Sequence, residues 1–414
     1  MVASSDNNHI ENTFTDPSGK MRLLKTAVIY GANASGKSNI LKAMDCMRDI
    51  IIDSHKNIEG DKINISSYKL DSLFQNEPTE FEIVFIKNNK RYQYGFSTNA
   101  KSIFGEWLYL ADLNKQKVIN KILFTRSKDS STKFGDSWKP KKERLIDDVL
   151  DNQLYLSKFT QNNHEIAKDV FNWIKSNLGM IFDNIHPVGF TLKMIDDYLE
   201  NRSIDMKSEI LSILKNADVG IDDFYVEREE LLNSKMWSLL PQEIKEDIMK
   251  DISNKSDSDI NKMMVLTSIF TKHKMSNSDV YVDFELSEDE SNGTQKLFAL
   301  SVPVIDTLIN NKTLVVDELE SSLHPLLTRE IIKMFHKTKD SNAQLVFTTH
   351  DTSLLDSDLF RKDQIWFTEK NKEMATDLYS LWDFKARKEE NFRKGYLTGK
   401  YGAIPFLGEF NFEK

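Results

Sequence analysis

The chain has 414 residues, with 55 basic against 64 acidic side chains and a formal net charge of −9. At roughly 100–200 residues per domain, that length holds two or three domains, and an apolar content of 40 % supports a sizeable core and argues against wholesale disorder. The acidic balance speaks against coating nucleic acid by bulk charge, while a local basic groove stays open. A single cysteine, Cys46, excludes an internal disulfide and a multi-cysteine zinc site, which fits a reducing, cytoplasmic setting. No stretch reaches the ~18 apolar residues of a membrane span; residues 297–309 come closest and are broken by Pro303 and Asp306.

In chain order, Asp16-Pro17-Ser18-Gly19 carries turn chemistry after a polar start. Residues 23–30 read as a short buried strand and 38–53 as an amphipathic helix. From residue 80 to about 126 the pattern alternates with period two. Phe81, Ile83 and Phe85 share one face, and Tyr92, Tyr94 and Phe96 repeat it beyond the hairpin pair Asn88-Asn89. Residues 103–111 and 118–124 read as two further strands. The lysine-rich stretch 127–143, Trp138 included, reads as an exposed loop. Residues 146–269 are mostly helical in period, with Phe171, Ile174 and Leu178 on one face, and 242–259 is a highly charged helix or loop. No heptad run supports a coiled-coil arm. Strand 280–286, helix 294–309, strand 313–317, helix 325–337 and strand 343–349 then alternate as a parallel α/β sheet does, with one more strand at 364–368.

Gly31-Ala32-Asn33-Ala34-Ser35-Gly36-Lys37-Ser38 fits the pattern G-x-x-x-x-G-K-[ST] without a mismatch. It follows an apolar strand and opens a helix, the context that the chemistry needs. The glycines let backbone N–H groups turn around phosphate oxygens, and the helix start adds a positive dipole end. Lys37 supplies a cation and Ser38 a hydroxyl ligand for Mg²⁺. The strand Leu314-Val315-Val316 ends in Asp317-Glu318, an acid suited to Mg²⁺ followed by one placed to polarise water. Glu290-Ser291-Asn292-Gly293-Thr294-Gln295 opens a helix as a second phosphate-binding end, or as an ordinary cap in which Ser291 serves the helix alone. His350 ends a strand, where it reaches a γ-phosphate or closes a simple turn.

The order of phosphate loop, long insertion, Ser-x-Gly-Thr signature, Asp-Glu strand and strand-end His resembles the ABC-type ATPase heads, in their SMC, RecF and OLD branch. Asp317-Glu318-Leu319-Glu320-Ser321-Ser322-Leu323-His324-Pro325 is similar to that branch's Asp-Glu-x-x-x-x-Leu-His-Pro form. The phrase from Tyr30 to Asn39, with the ending Tyr401-Gly402-Ala403-Ile404-Pro405-Phe406-Leu407, looks like the stand-alone bacterial phage-defence ATPases of the RloA/AbiL type.

The resemblance implies an α/β head in two catalytic parts, 1–60 with the phosphate loop and 280–414 with the signature, acidic pair and His. Between them lie a mostly antiparallel β subdomain, 61–145, and a helical insertion, 146–279. It implies that Gly31, Asn33, Ser35, Gly36, Lys37, Ser38 and Asn39 hold ATP, and that Ser38 and Asp317 hold Mg²⁺, with Gln161 as a third candidate. Ser291 and Gly293 would reach the nucleotide of the opposite protomer. Glu318 would be the catalytic base, alongside Lys37 and the γ-phosphate sensor His350. Relative to such heads, the sequence starts just after the place of their first N-terminal strand, and it ends 64 residues beyond His350, too soon for a Toprim nuclease domain. The expected activity is ATP hydrolysis driving a homodimer or higher homo-oligomer as a switch. That switch would control a separate, nuclease-like effector encoded nearby in an anti-phage system, away from any membrane. The alternative is a RecF- or SMC-like repair ATPase with DNA as direct ligand. Lys385, Arg387, Lys388, Arg393, Lys394 and Lys400, interleaved with Phe384, Phe392 and Tyr396, are the candidate contact for nucleic acid or an acidic partner, or simply a solvated helix.

Overall fold

A computed structural model describes residues 1–75, 77–128, 130–138, 146, 148–182, 205–253, 265–384, 390–405 and 408. The strands are β1 Thr13–Thr15, β2 Arg22–Leu24, β3 Thr26–Gly31, β4 Thr79–Lys87, β5 Lys90–Thr98, β6 Ile103–Asp112, β7 Lys121–Ser127, β8 Ser130–Phe134, β9 Leu178–Ile181, β10 Asp223–Glu230, β11 Val265–Lys274, β12 Tyr281–Glu285, β13 Thr313–Val316, β14 Gln344–Thr348, β15 Ile365–Lys370 and β16 Thr376–Ser380. The α-helices are α1 Lys37–Asp53, α2 Tyr155–Gln161, α3 Glu165–Asn177, α4 Met206–Asn216, α5 Lys235–Leu239, α6 Gln242–Ser253, α7 Asn292–Asn310, α8 Pro325–Lys337 and α9 Phe392–Leu397. The class is mixed α/β.

The chain divides into two compact units. The first comprises Met1–Asp183, Thr307–Ser321 and Thr328–Lys414. Its main sheet has the order β16-β15-β3-β14-β13-β9, parallel throughout except for the antiparallel edge strand β16. All six residues of β3 are buried, as a central parallel strand covered on both faces requires. The expected strand over residues 23–30 is broken at Lys25. Leu24 ends the β1–β2 pair and Thr26 begins the main sheet. Val2 bridges Leu23, so a short antiparallel arrangement does precede the phosphate-loop strand.

β4 to β8 form an antiparallel meander, with Asn88 and Asn89 at φ 50° and 58° in the first hairpin turn. Its apolar face, with Phe85, Tyr92 and Phe124, shares one core with Leu41 and Ile51 of α1 and with Leu156, Phe159 and Ile174 of α2 and α3. Two expectations fail here. The stretch 127–143 contains β8, and Trp138 is 0 % exposed, stacked on the His164 ring at 3.9 Å between centroids. The lysines around Trp138 set the polar reading, while its own indole fills the core. Residues 139–145 lie outside the described residues.

The second unit comprises Asn184–Asp306 and Ser322–Leu327. It carries the antiparallel sheet β10-β11-β12 and helices α4 to α6. The insertion is therefore less helical than its periodicity predicts. β9, β10 and β11 fall within residues 146–279, and β9 belongs to the main sheet of the first unit. Of the charged stretch 242–259, Gln242–Ser253 is helix and the rest lies outside the described residues.

Candidate functional site

At the carboxyl end of β3 the backbone curls from Gly31 to Gly36. The Ser35 N–H donates to the Ala32 carbonyl at 3.1 Å, and Ala34 and Gly36 take φ of 63° and 107°. Gly36 has no room for a side chain. A Cβ there would lie 2.1 Å from Thr376 Oγ1, in a backbone conformation that L-residues avoid. Two neighbouring strands hold the loop. The Ser35 and Thr368 hydroxyls are 2.6 Å apart, and Thr376 Oγ1 donates to the Ser35 carbonyl at 2.9 Å. α1 begins at Lys37, and no side chain caps its N-terminus. Its first-turn N–H groups are the orphan donors that suit an anion. Asn33 and Asn39 are exposed beside them.

Lys37 is 6 % exposed, and its Nζ donates to the carbonyls of Gly31 at 2.8 Å and Ala32 at 3.2 Å. Burial pulls its ammonium below the ordinary lysine range, against the opposing fields of Glu318, Asp317 and Glu320.

Two strands away, Asp317 follows β13. Its N–H donates to the Ile181 carbonyl of β9 at 2.9 Å, and its Oδ1 accepts from Ser38 Oγ at 3.1 Å and from Thr348 Oγ1 at 2.6 Å. Thr348 Oγ1 in turn accepts the Glu318 N–H at 2.8 Å, so one hydroxyl fixes both acids. Glu318 sits at φ 50°, a left-handed turn that a non-glycine residue adopts at a cost of order 1–3 kcal/mol. The turn brings its carboxylate to 3.8 Å from His350 Nε2, with the two side chains 40 % and 43 % exposed. The His350 N–H donates to Glu320 Oε1 at 2.5 Å. Lys37, Ser38, Asp317, Glu318 and His350 thus form one constellation, drawn from the ends of three parallel strands, where open α/β sheets place their ligands.

Ser291 and Gly293 belong to the second unit. Ser291 Oγ accepts the Thr294 N–H at 3.2 Å, which makes it the N-cap of α7. A Cβ on Gly293 would lie 2.8 Å from the Ser322 carbonyl, so the glycine admits the backbone of the loop that follows the acidic pair. Glu290 just ahead is fixed by Thr271 Oγ1 at 2.6 Å and His273 Nε2 at 2.7 Å. Gln161 is exposed at the end of α2 and, among the described residues, forms no side-chain hydrogen bond with Ser38 or Asp317.

Of the basic stretch, residues 385–389 lie outside the described residues. Phe392 and Tyr396 are 3 % and 7 % exposed, so these rings belong to the core and are not free to stack on bases. Sequence reading missed Thr348, Thr368, Thr376 and Glu320. Thr348 stands two residues before His350 on one strand face, a period-two signal. The two threonines of β15 and β16 carry no local signal, because only sheet pairing brings them to the loop.

A family model described as "AAA domain, putative AbiEii toxin, Type IV TA system" matches residues 27–356. No curated protein matches the sequence. Similar solved structures include an SMC head bound to the C-winged helix domain of ScpA, at 12 % identity and a TM-score of 0.40 over 86 % of this chain and 90 % of that one. The SMC head domain from Thermotoga maritima is 13 % identical, with a TM-score of 0.36 over 89 % and 96 % of the two chains. CbiO1 from Clostridium perfringens, part of an ABC transporter complex, is 11 % identical, with a TM-score of 0.29 over 94 % and 92 %.

Proposed function

The chain belongs to this AAA-domain family, and on that premise we propose that it hydrolyses ATP with Mg²⁺ and works as a nucleotide-driven dimerisation switch in a bacterial anti-phage or toxin–antitoxin module. The observation that carries the reading is the acid cluster on the phosphate loop: Ser38 Oγ lies 3.1 Å from Asp317 Oδ1, with Glu318 and His350 alongside. A hydroxyl and a carboxylate at that spacing are the hard oxygen ligands Mg²⁺ takes when phosphates complete its shell. The uncapped start of α1, the glycine turn and Lys37 fit the polyphosphate. Mg²⁺ would neutralise phosphate charge there. Glu318 accepts a proton from the attacking water, and His350 donates to the terminal phosphate.

Ser291 and Gly293 of one copy close on the loop of the other, so ATP joins two copies and hydrolysis parts them. The product of each cycle is a change of assembly, passed to a separate effector protein. The test is ATP turnover and light-scattering mass with and without Mg-ATP. Wild type should hydrolyse ATP and form a dimer, Glu318→Gln should bind ATP and stay dimeric, and Lys37→Ala should do neither. Failure of wild type to bind ATP would overturn the reading. Retrieval of a neighbour-encoded protein with the ATP-bound form supports effector control, and stimulation by duplex DNA with a steep salt dependence would replace it with direct DNA action.

A further inference from the structure

The ending Tyr401-Gly402-Ala403-Ile404-Pro405 is not accounted for by the catalytic groups, yet it lies against the phosphate loop. A cavity of about 830 Å³ is bounded on one side by Gly31, Asn33 and His350 and on the other by Leu397, Ile404 and Pro405. That volume falls within the range of small-molecule sites.

The far wall is built on an aromatic stack that starts at the residue before the loop. The Tyr30 ring lies 5.8 Å from that of Tyr396, and Phe367 stacks on Tyr396 at 5.5 Å and on Tyr401 at 5.7 Å. Polar ties fix the backbone of the ending. Tyr396 donates to the Ala403 carbonyl at 3.0 Å, and the Tyr379 hydroxyl lies 2.9 Å from the Tyr401 carbonyl. Tyr401 donates to Glu390 at 2.5 Å, and Lys400 pairs with the same carboxylate. Gly402, at φ 67°, leaves no room for a Cβ beside Glu369 and Tyr379. From the C-terminal segment the cavity is lined by Leu397, 56 % exposed, with Ile404 and Pro405 and the largely buried Tyr396 and Ala403, while Glu369 and Lys370 of β15 also border it.

The two walls therefore differ in chemistry. The loop side offers the polar groups of Gly31, Ala32, Asn33 and Ser35, with His350. The C-terminal side offers hydrocarbon, which has nothing to give a phosphate and suits the flat, poorly hydrated face of a purine. We propose that the segment 396–405 is the nucleoside-binding wall of the site, holding the base of the nucleotide whose phosphates lie on the loop. This rests on the ATPase reading above and adds to it the residues that distinguish a nucleotide from bare polyphosphate.

The test compares three probes by calorimetry in the full chain with Mg²⁺: ATP, ADP and inorganic tripolyphosphate. Leu397→Asp changes an exposed position and Ile404→Ser a partly covered one, and a melting curve checks that each is folded. Both should weaken ATP and ADP by ~10-fold or more and leave tripolyphosphate unchanged. Equal loss for all three probes, or no loss for any, overturns the wall. Lys37→Ala should weaken all three. If wild type binds neither ATP nor tripolyphosphate, the ATPase reading falls and takes the wall with it. If ATP binding depends on Lys37 but not on Leu397 or Ile404, the wall alone falls.

Discussion

The two ends of β3 carry the same device for different purposes. At its carboxyl end Lys37, 6 % exposed, donates to the carbonyls of Gly31 and Ala32. Just before its amino end Lys25, also 6 % exposed, donates to the carbonyls of His336 and Thr338 at the end of α8. Burial lowers the pKa of both. The lysines differ in company. Around Lys25 the partners are sealed: His336, Thr26, Gln364 and Asn12 are each 5 % exposed or less and bond one another. Around Lys37 stand Glu318 and His350, each about two-fifths exposed, beside a cavity. A buried lysine on backbone carbonyls is thus no mark of function by itself. Unsealed acid–base partners at the open end of the sheet are.

The largest expected effect lies at the open end. Glu318→Gln should cut turnover by ~10²–10⁴-fold, the usual size of a general-base contribution, with ATP binding kept; phosphate release and calorimetry read the two quantities. Unchanged turnover would remove the distinction between the two ends. Crossing the lysines sharpens it. Lys25→Met should lower stability by about 1–3 kcal/mol, through lost charge-assisted bonds to helix-end carbonyls, and leave ATP affinity of the folded protein unchanged. Lys37→Met, which loses bonds of the same kind, should in addition lose ATP binding. If Lys25→Met weakens ATP binding too, the comparison is broken.

The third test uses pH. Burial, then Lys25 and His9, push the pKa of His336 down to about 3. Its Nε2 lies 2.9 Å from Thr26 Oγ1, which itself accepts from Gln364 Nε2, inside a sealed polar cluster. With an unfolded value of 6.5, the fold favours the neutral ring. This contribution is fully present above pH 6.5 and declines as pH falls toward 3, by about 1.4 kcal/mol per unit. Wild type should lose stability from pH 6.5 to 5 more steeply than His336→Gln in denaturant titrations; equal slopes would refute a sealed, neutral His336. The smallest effect is expected from Thr348→Val. It frees Asp317 and Glu318 from their shared hydroxyl and should reduce turnover by ~10-fold, the scale of about one hydrogen bond, with the midpoint nearly unchanged.

The phosphate loop was legible because its chemistry is local: glycines, a lysine and a hydroxyl within eight residues, between strand and helix. The Asp-Glu strand and His350 were legible by their order along the chain. Ser291 was legible only as two alternatives, and its bond to the Thr294 N–H supplies the cap. Trp138 was hidden by its lysine neighbours, and β9 by its four residues. Thr368 and Thr376 reach the loop through pairings more than 300 residues long in sequence, which no local pattern records.

That separation bears on how the protein is made. β3 lies between β14 and β15, both synthesised some 300 residues later. At ~5–20 residues per second, roughly 15–60 s pass before either neighbour leaves the ribosome. Throughout that interval a strand that ends fully buried has two open edges, while α1 and the meander β4–β8, which share the native core with Ile29, are already synthesised. The nucleotide site is therefore among the last parts of the molecule to form. Until then residues 26–31 are an unpaired strand of the kind that long-range sheet pairing leaves exposed to misassembly.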